Sequence, residues 1–491
     1  MTEVKLKKQR IVLIIVFATL AGVCVLLPIL GTFALSIPEW LAVLPLMPLL
    51  ILSAILPKML AKGGAQKKVA VALPIVAVII SLISLFGACC NPYFGSVVFR
   101  SAPSSEYTRV ITAKEAEEDF KAVLRHLRKC HPLFIDGVPD EYMQSYNAAV
   151  ANIRSGGDLT VNELRKRLSE FLAPLHDAHT SIYQRFSDER YLIADWGDMR
   201  IVSVNGITRD ELRERAKNYS SYEVEEWISV DVGRLSTLDF YGIEFPITFE
   251  LADDNGNTVT MTYTEDDYLT YDEYLEVMSQ RYDGAATEVP FVYYEIDPER
   301  SLAVFTLNSC TYNNEYKSTL RNMFEDVKAQ GIKNVAVDLR QNGGGNSLVA
   351  DEFIKYLPVD SYLTSSYKWR LGFLMLNMGN GALSNDKVTD LTFSGDVYIL
   401  TSSNTFSSAM LFAEFISDNA LGTVIGEPPA NAANSYGDIT IFSLPNSHLR
   451  MSCSTKIFRR ASGTDDLLVE PDIPCDSADA ISKLYEIVAN N

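Results

Sequence analysis

Residues 11–35, IVLIIVFATLAGVCVLLPILGTFAL, contain no charged side chain. A helix of that length exceeds the roughly 20 residues that cross the hydrocarbon core of a bilayer. Two more apolar runs follow, LAVLPLMPLLILSAIL at 41–56 and VAVALPIVAVIISLISLFGACC at 69–90. The second is shorter and interrupted by Pro45 and Pro48. Together they read as three transmembrane helices. A cleaved signal peptide fits less well, because the first apolar core is too long and two further runs follow it. The segments KLKKQR, before the first run, and KMLAKGGAQKK, between the second and third, are basic. Basic loops stay on the cytoplasmic side, so both are expected there. Three crossings then place everything after about Tyr93 outside the cytoplasm, on a multi-pass protein of the cell membrane.

Charge divides the chain at the same place. Residues 1–100 carry nine Lys or Arg against two Asp or Glu, and the remaining 391 carry 34 against 60. An outer part this acidic repels phosphates, so nucleic acid is not an expected partner. The seven cysteines are scattered, with no spacing that suggests zinc and no dense disulfide framework. Oligomeric state is not legible.

The pattern after the spans divides the 491 residues into a membrane domain (1–92), a helical part (106–190), a β-rich module (191–289) and an α/β core (290–491). In the helical part, Phe120, Val123, Leu124 and Leu127 fall on one face, as do Leu164, Leu168 and Leu172, with Thr160 as a cap. The β-rich module contains a tight Asn-Gly turn in VSVNGIT and a hairpin around DDNGN. From residue 290, strands alternate with helices, which indicates a parallel sheet with right-handed crossovers. Sites in such sheets form at the carboxyl ends of the strands.

Two such ends carry chemistry. RQNGGGNS follows the strand NVAVDL, and its glycines free backbone N–H groups to converge on an anion or a developing oxyanion. The bland alternative is a flexible turn. NTFSSAMLFAEF follows the strand DVYILTS and places Ser407 and Ser408 at a helix start, where the dipole favours an anion. The bland alternative there is a helix cap. A serine nucleophile needs a base. Of five histidines, His176 and His179 lie together in LHDAHTSI, which lacks the spacing of a zinc helix.

LHDAHTSI, VAVDLRQNGGGNS, VYILTSSNTFSSAMLFAEFISDNALGTVIGEPPA and VEPDIPCD occur in that order. They resemble the tail-specific, or C-terminal-processing, serine peptidases, whose relatives include the tricorn protease core. The resemblance implies a ClpP/crotonase-like α/β core and a small, degenerate PDZ-like module. It implies peptide-bond hydrolysis of protein or peptide substrates by a serine-type endopeptidase with no cofactor. It places Ser407 as nucleophile, with the N–H groups of Gly344 and Ser408 forming the oxyanion hole. One branch of the family uses a lysine shortly after the serine helix, but no lysine occurs between Lys387 and Lys456. The histidine-using, tricorn-like branch matches instead, with His179 as the base. An orienting acid is expected just before VEPD, at Asp466, with Asp465 and Glu470 as neighbours. VSVNG resembles a PDZ stretch, but no carboxylate-binding loop of the usual kind accompanies it.

Two other readings stand beside this one. A catalytically inactive module could bind peptides or apolar ligands on the same fold, as retinoid-binding relatives suggest. A membrane sensor could use the outer domain for recognition alone.

Overall fold

The computed structural model describes residues 3–61, 67–194, 196–197, 199–253, 255–281, 290–379 and 381–490. The centre of the basic link between the second and third spans, at 62–66, lies outside them.

Three helices are long and apolar enough to cross a membrane, within Lys8–Phe33, Glu39–Lys58 and Val71–Cys90. They are formed by α1 (Glu3–Phe33), α2 and α3 (Glu39–Val43 and Leu46–Ala61), and α4 (Lys67–Leu85), which ends in a π-turn at Phe86–Cys90. Their apolar side chains mostly face outward, as helices solvated by lipid would. Residues 91–100 then run onto the remainder of the chain, where Val97 N–H donates to Ile441 O at 2.7 Å.

The helical part contains α5 (Ala113–Cys130), α6 (Asp140–Gly156) and α7 (Val161–Leu172). Thr112 and Thr160 close capping boxes with Glu115 and Glu163, which satisfy the first free N–H groups of α5 and α7. The predicted apolar faces are buried. They pack not only on one another but also against Phe442, Leu449 and Met451 from much later in the chain. The β-rich module is an antiparallel sheet of β1 (Arg200–Val204), β2 (Ile207–Thr208), β3 (Ile247–Ala252) and β4 (Thr258–Tyr263), in the order β2-β1-β3-β4. It packs on α8 (Arg209–Lys217) and α9 (Leu235–Tyr241) around its own core, and α10 (Tyr271–Arg281) follows. Asn205 and Gly206 take φ of 51° and 75°, the two positive values that the predicted Asn-Gly turn needs.

The α/β core is a six-stranded sheet with β5 (Val292–Asp297), β6 (Leu302–Leu307), β7 (Asn334–Asp338), β10 (Asp396–Thr401), β11 (Thr423–Gly426) and β14 (Ile473–Pro474) in spatial order. Only β5 is antiparallel; Phe305 pairs with Val337, Val337 with Ile399, and Ile399 with Val424 in parallel register. The apolar β7 run is buried because helices cover both faces. α11 (Asn314–Gln330), α12 (Leu348–Ile354) and α13 (Ser408–Asp418) cover one face, and α14 (Ala480–Asn490) the other.

A second sheet was not anticipated. β8 (Ser366–Leu371), β9 (Leu374–Met378), β12 (Tyr436–Ser443) and β13 (Arg450–Arg459) form it in the order β9-β8-β13-β12, and the short strand Ile182–Tyr183 pairs with β13. This sheet brings the LHDAHTSI loop to the mouth of the core.

Candidate active site

The carboxyl ends of β6, β7 and β10 meet at one point. After β7 the chain turns through Asn342, which is fully buried. Its side chain donates to Leu307 O at 2.8 Å and accepts from Gly344 N–H at 2.9 Å, while its carbonyl accepts from Phe406 N–H at 3.0 Å. One asparagine thereby ties together three strand ends. Gly344 has φ +98° and lies so close to the serine turn that an added Cβ would stand 2.7 Å from Phe406 O and from Ser407 Cβ. The triglycine is thus a fitted contact rather than a loose turn.

Ser407 precedes α13 with φ 57° and ψ −120°, and its side chain makes no capping hydrogen bond. A serine in that region is strained by about 1–3 kcal/mol and stays there only when its surroundings hold it. Asn431 Oδ1 does so by accepting the Ser407 N–H at 2.6 Å. Ser408 directs its hydroxyl to Gly345 O at 2.9 Å. The capping role expected of an ordinary serine at a helix start is therefore taken by neither side chain.

A cavity of about 430 Å³ opens here, lined among others by Ser407, Ser408, Gly345, His179, Tyr367 and Lys456. His179 packs on the Phe406 ring at 4.5 Å, and neither ring nitrogen has a hydrogen-bond partner. The Ser407–His179 hydrogen bond is thus unmade. Burial lowers the His179 pKa, against the opposing charges of Asp177 and Asp438. The ring is therefore neutral near pH 7.

Asp177, two residues before the histidine, is fully buried. It accepts from His179 N–H at 2.9 Å and Thr180 Oγ1 at 2.5 Å, and lies 3.0 Å from His131 Nε2. Its Oδ1 is 4.0 Å from His179 Nδ1. Burial opposes its charge, but His131, His179 and Thr180 prevail and hold its pKa below the usual value. Glu223 comes from the segment before α9 and accepts from Ala432 N–H at 2.8 Å and from Ala178 N–H at 3.4 Å. Desolvation, then the charge of Asp177, pushes its pKa up to about 8. Asp177, His179 and Glu223 each offer one donor atom within 4.8 Å of the others, a spacing that could hold a divalent cation.

The expected acid is not in this group. Asp466 is exposed, and its carbonyl accepts from Asn434. Asp465 pairs with Arg459, and Glu470 is also exposed. All three are exposed, and none lines the cavity that His179 shares with Ser407. Gly344 needs a second correction. Its N–H is already engaged by Asn342, whereas the Gly345 N–H has no partner among the described residues and Gly345 lines the cavity. Lys456 is far from Ser407 in sequence, but β13 carries it into the cavity, where Nζ lies 2.7 Å from Asp438 Oδ2. His176 bonds Tyr222 O at 3.1 Å and does not line the cavity. Asp177 was visible in LHDAHTSI as a neighbour of His179. Asn342, Glu223, Asn431 and Asp438 had no local signature.

The serine half of the site falls within a recognisable sequence segment, whereas Asp177, His179 and Glu223 precede it. Residues 301–475 match the family model described as Peptidase family S41. The S41 match runs from β6 to β14 and so includes the triglycine turn, Ser407 and β13. Solved structures agree on the fold. A serine-to-alanine mutant of CPAF aligns with a TM-score of 0.56 at 11% identity, over 77% of this chain and 96% of that one. Mature CPAF aligns at 0.52 and 11% identity over the same shares, and its complex with lactacystin at 0.52, 11%, 77% and 97%.

Proposed function

We propose that this chain is a membrane-anchored serine peptidase of the histidine-using kind, with its catalytic domain outside the cytoplasm, Ser407 as nucleophile and His179 as general base. One observation carries the reading. A serine held in strained backbone geometry, with its hydroxyl uncommitted, shares a cavity with a buried histidine whose two nitrogens are also uncommitted. Buried side-chain polar groups are usually hydrogen-bonded, so a buried imidazole left without a partner beside a free hydroxyl fits a reactive pair. The S41 match supports the peptidase part of this reading.

In this mechanism a small closure on substrate binding brings the Ser407 hydroxyl to His179, which takes its proton as Oγ attacks the peptide carbonyl. The oxyanion forms at the N-terminus of α13, against the N–H groups of Ser408 and Gly345. Asp177 steadies the imidazolium through space and fixes the loop through the His179 N–H. His179 then delivers the proton to the leaving amine. The β-rich module is read as a degenerate PDZ-like unit that contributes Glu223, and the core as ClpP/crotonase-like. Protein or peptide substrates are the expected partners.

The binding-only reading draws on the unmade Ser407–His179 hydrogen bond, although such bonds are often long without substrate. A fluorophosphonate probe separates the two. Covalent labelling of the full chain, lost in Ser407→Ala and His179→Ala, is the expected result. An unlabelled wild type, or labelling that survives Ser407→Ala, would overturn the peptidase assignment.

A further inference from the structure

α5 lies across the ends of the membrane helices. Lys129 Nζ is 2.6 Å from Glu39 Oε1, donates to Ala88 O at 3.3 Å and lies 5.2 Å from the centre of the Phe94 ring. Glu39 begins the second apolar span and Cys90 ends the third, so this contact marks the level of the bilayer surface. The β8–β9 hairpin arrives at the same level. A Cβ on Gly372, in its turn, would stand 2.8 Å from Cys90 Cα. The next residue, Phe373, is 76% exposed, and Trp40, beside Glu39, is 65% exposed. Bare aromatic rings at this depth are characteristic of a membrane interface.

Between α5 and the hairpin tip is a cavity of about 530 Å³. Lys121, Arg125, Arg128 and Lys129 line it from one face of α5, with Arg370 and Phe373 opposite. Glu39 is its one acidic lining residue and already pairs with Lys129. Lys121 pairs with Glu117. Arg370 is buried and bonds the carbonyls of Gly372, His131 and Arg128. The exposed guanidinium groups of Arg125 and Arg128 make no hydrogen bond or ion pair among the described residues. In an outer part with 60 acidic residues against 34 basic ones, an unneutralised cationic hollow at the lipid surface is out of character.

We propose that this cavity is a headgroup site for an anionic phospholipid of the bilayer that the three helices cross, with Arg125 and Arg128 on the phosphate and Phe373 among the glycerol and upper acyl carbons. Charge complementarity and continuity with the apolar spans select lipid as the occupant. An acidic peptide would satisfy the arginines but would leave Phe373 and its level in the molecule unexplained. The inference rests on the membrane-spanning reading and is independent of the peptidase chemistry.

The test uses the full chain in nanodiscs of phosphatidylcholine alone or mixed with phosphatidylglycerol, with retained lipid counted by native mass spectrometry. Phosphatidylglycerol should be retained in preference to phosphatidylcholine. Each cation near an anionic surface contributes roughly fivefold, so Arg125→Gln with Arg128→Gln should reduce that preference by about tenfold or more. The Arg125→Lys, Arg128→Lys pair should keep most of it, and Ser407→Ala should keep all of it. Brominated lipid in the same discs should quench an added Phe373→Trp signal in a Trp40→Phe background, where Trp40 at the same level no longer contributes. Both arginines are exposed, so the substitutions leave the core intact, and circular dichroism checks this. Incorporation into discs with equal retention of the two lipids, or a preference unchanged in the Gln pair, would overturn the proposal. So would retention of an acidic peptide at these arginines in place of lipid.

Discussion

Ser407 combines a strained backbone and a free hydroxyl at the N-cap of α13, whereas Ser408, the first residue of that helix, has neither the strain nor a free hydroxyl. Its hydroxyl is bound to Gly345 O, and its backbone N–H is what the reaction would use. Ser407→Ala should therefore abolish peptide hydrolysis and probe labelling, while Ser408→Ala should leave a measurable remnant, since alanine keeps the N–H. A dead Ser408→Ala with an active Ser407→Ala would shift the nucleophile by one residue. Gly344→Val should cost on the order of 10²-fold or more in turnover, because a side chain there would collide with Phe406 O and Ser407 Cβ and spread the oxyanion donors. Unchanged turnover would separate the glycines from catalysis. The base also has a pH signature. Burial lowers the His179 pKa, so the acid limb of kcat/KM should fall below about pH 6.5, as protonation removes the acceptor. Lys456→Ala should keep labelling, because that ammonium is held by Asp438. Ser407 and His179 were legible because motif order and residue type marked them. Asp177 was passed over because its role depends on His131 and Thr180 converging on it, and Asp466 was chosen by position along the chain, which says nothing of the surface path it follows.

At the scale of elements, α13 does two things. Its first residue presents the nucleophile loop, and its middle is buried against β13's exit, where Glu414 accepts from Ser365 Oγ at 2.6 Å and from Ala461 N–H at 2.9 Å. The other carboxyl oxygen has no partner. Burial raises the Glu414 pKa to about 7, and those hydrogen bonds and Arg460 offset it only in part. The unfolded chain would titrate near 4.5. Between those values the folded state holds the proton more tightly, so this group's contribution is full below about pH 4.5 and is lost as pH rises through about 7. The difference corresponds to about 3 kcal/mol as an order of magnitude. Chemical denaturation of wild type and Glu414→Gln at pH 5 and pH 8 should show the variant losing less stability over that interval. An identical pH dependence would mean that Glu414 is not the titrating group. The α/β alternation around α13 was readable because β7 and β10 are continuous apolar runs and the helices between them have a polar face. The β8–β9–β12–β13 sheet escaped notice for the opposite reason. SYKWRL mixes charged, aromatic and apolar residues, and it is ordered by contacts with β13 and the span end rather than by any period of its own.

At the scale of the whole molecule, the candidate site and the end of the third apolar helix are neighbours. Tyr93 OH lies 3.5 Å from Asp438 Oδ1, and Asp438 in turn holds Lys456 in the cavity beside Ser407. The segment leaving the third span thus reaches the rim of the cavity within a few residues. No local pattern announces such a contact, since its partners lie 345 positions apart. The spans themselves were plain from hydropathy, and their orientation is argued from charge. Lys5, Lys7, Lys8 and Arg10 precede the first span, and Lys58, Lys62, Lys67 and Lys68 flank the link between the second and third, whereas the link between the first and second has only Glu39. Short basic loops stay in the cytoplasm, and long domains translocate largely regardless of their own charge, so the acidity of residues 101–491 does not oppose this arrangement. A reporter active only in the cytoplasm should be silent when fused after Asn491 and active when inserted in the 62–66 link. A reporter active only outside should behave in the opposite way. A cytoplasmic reporter that is bright after Asn491 would sink the three-span orientation. It would also place Ser407, His179 and the cavity above α5 on the inner face, with the chemistry of the site unchanged but a different set of proteins within its reach.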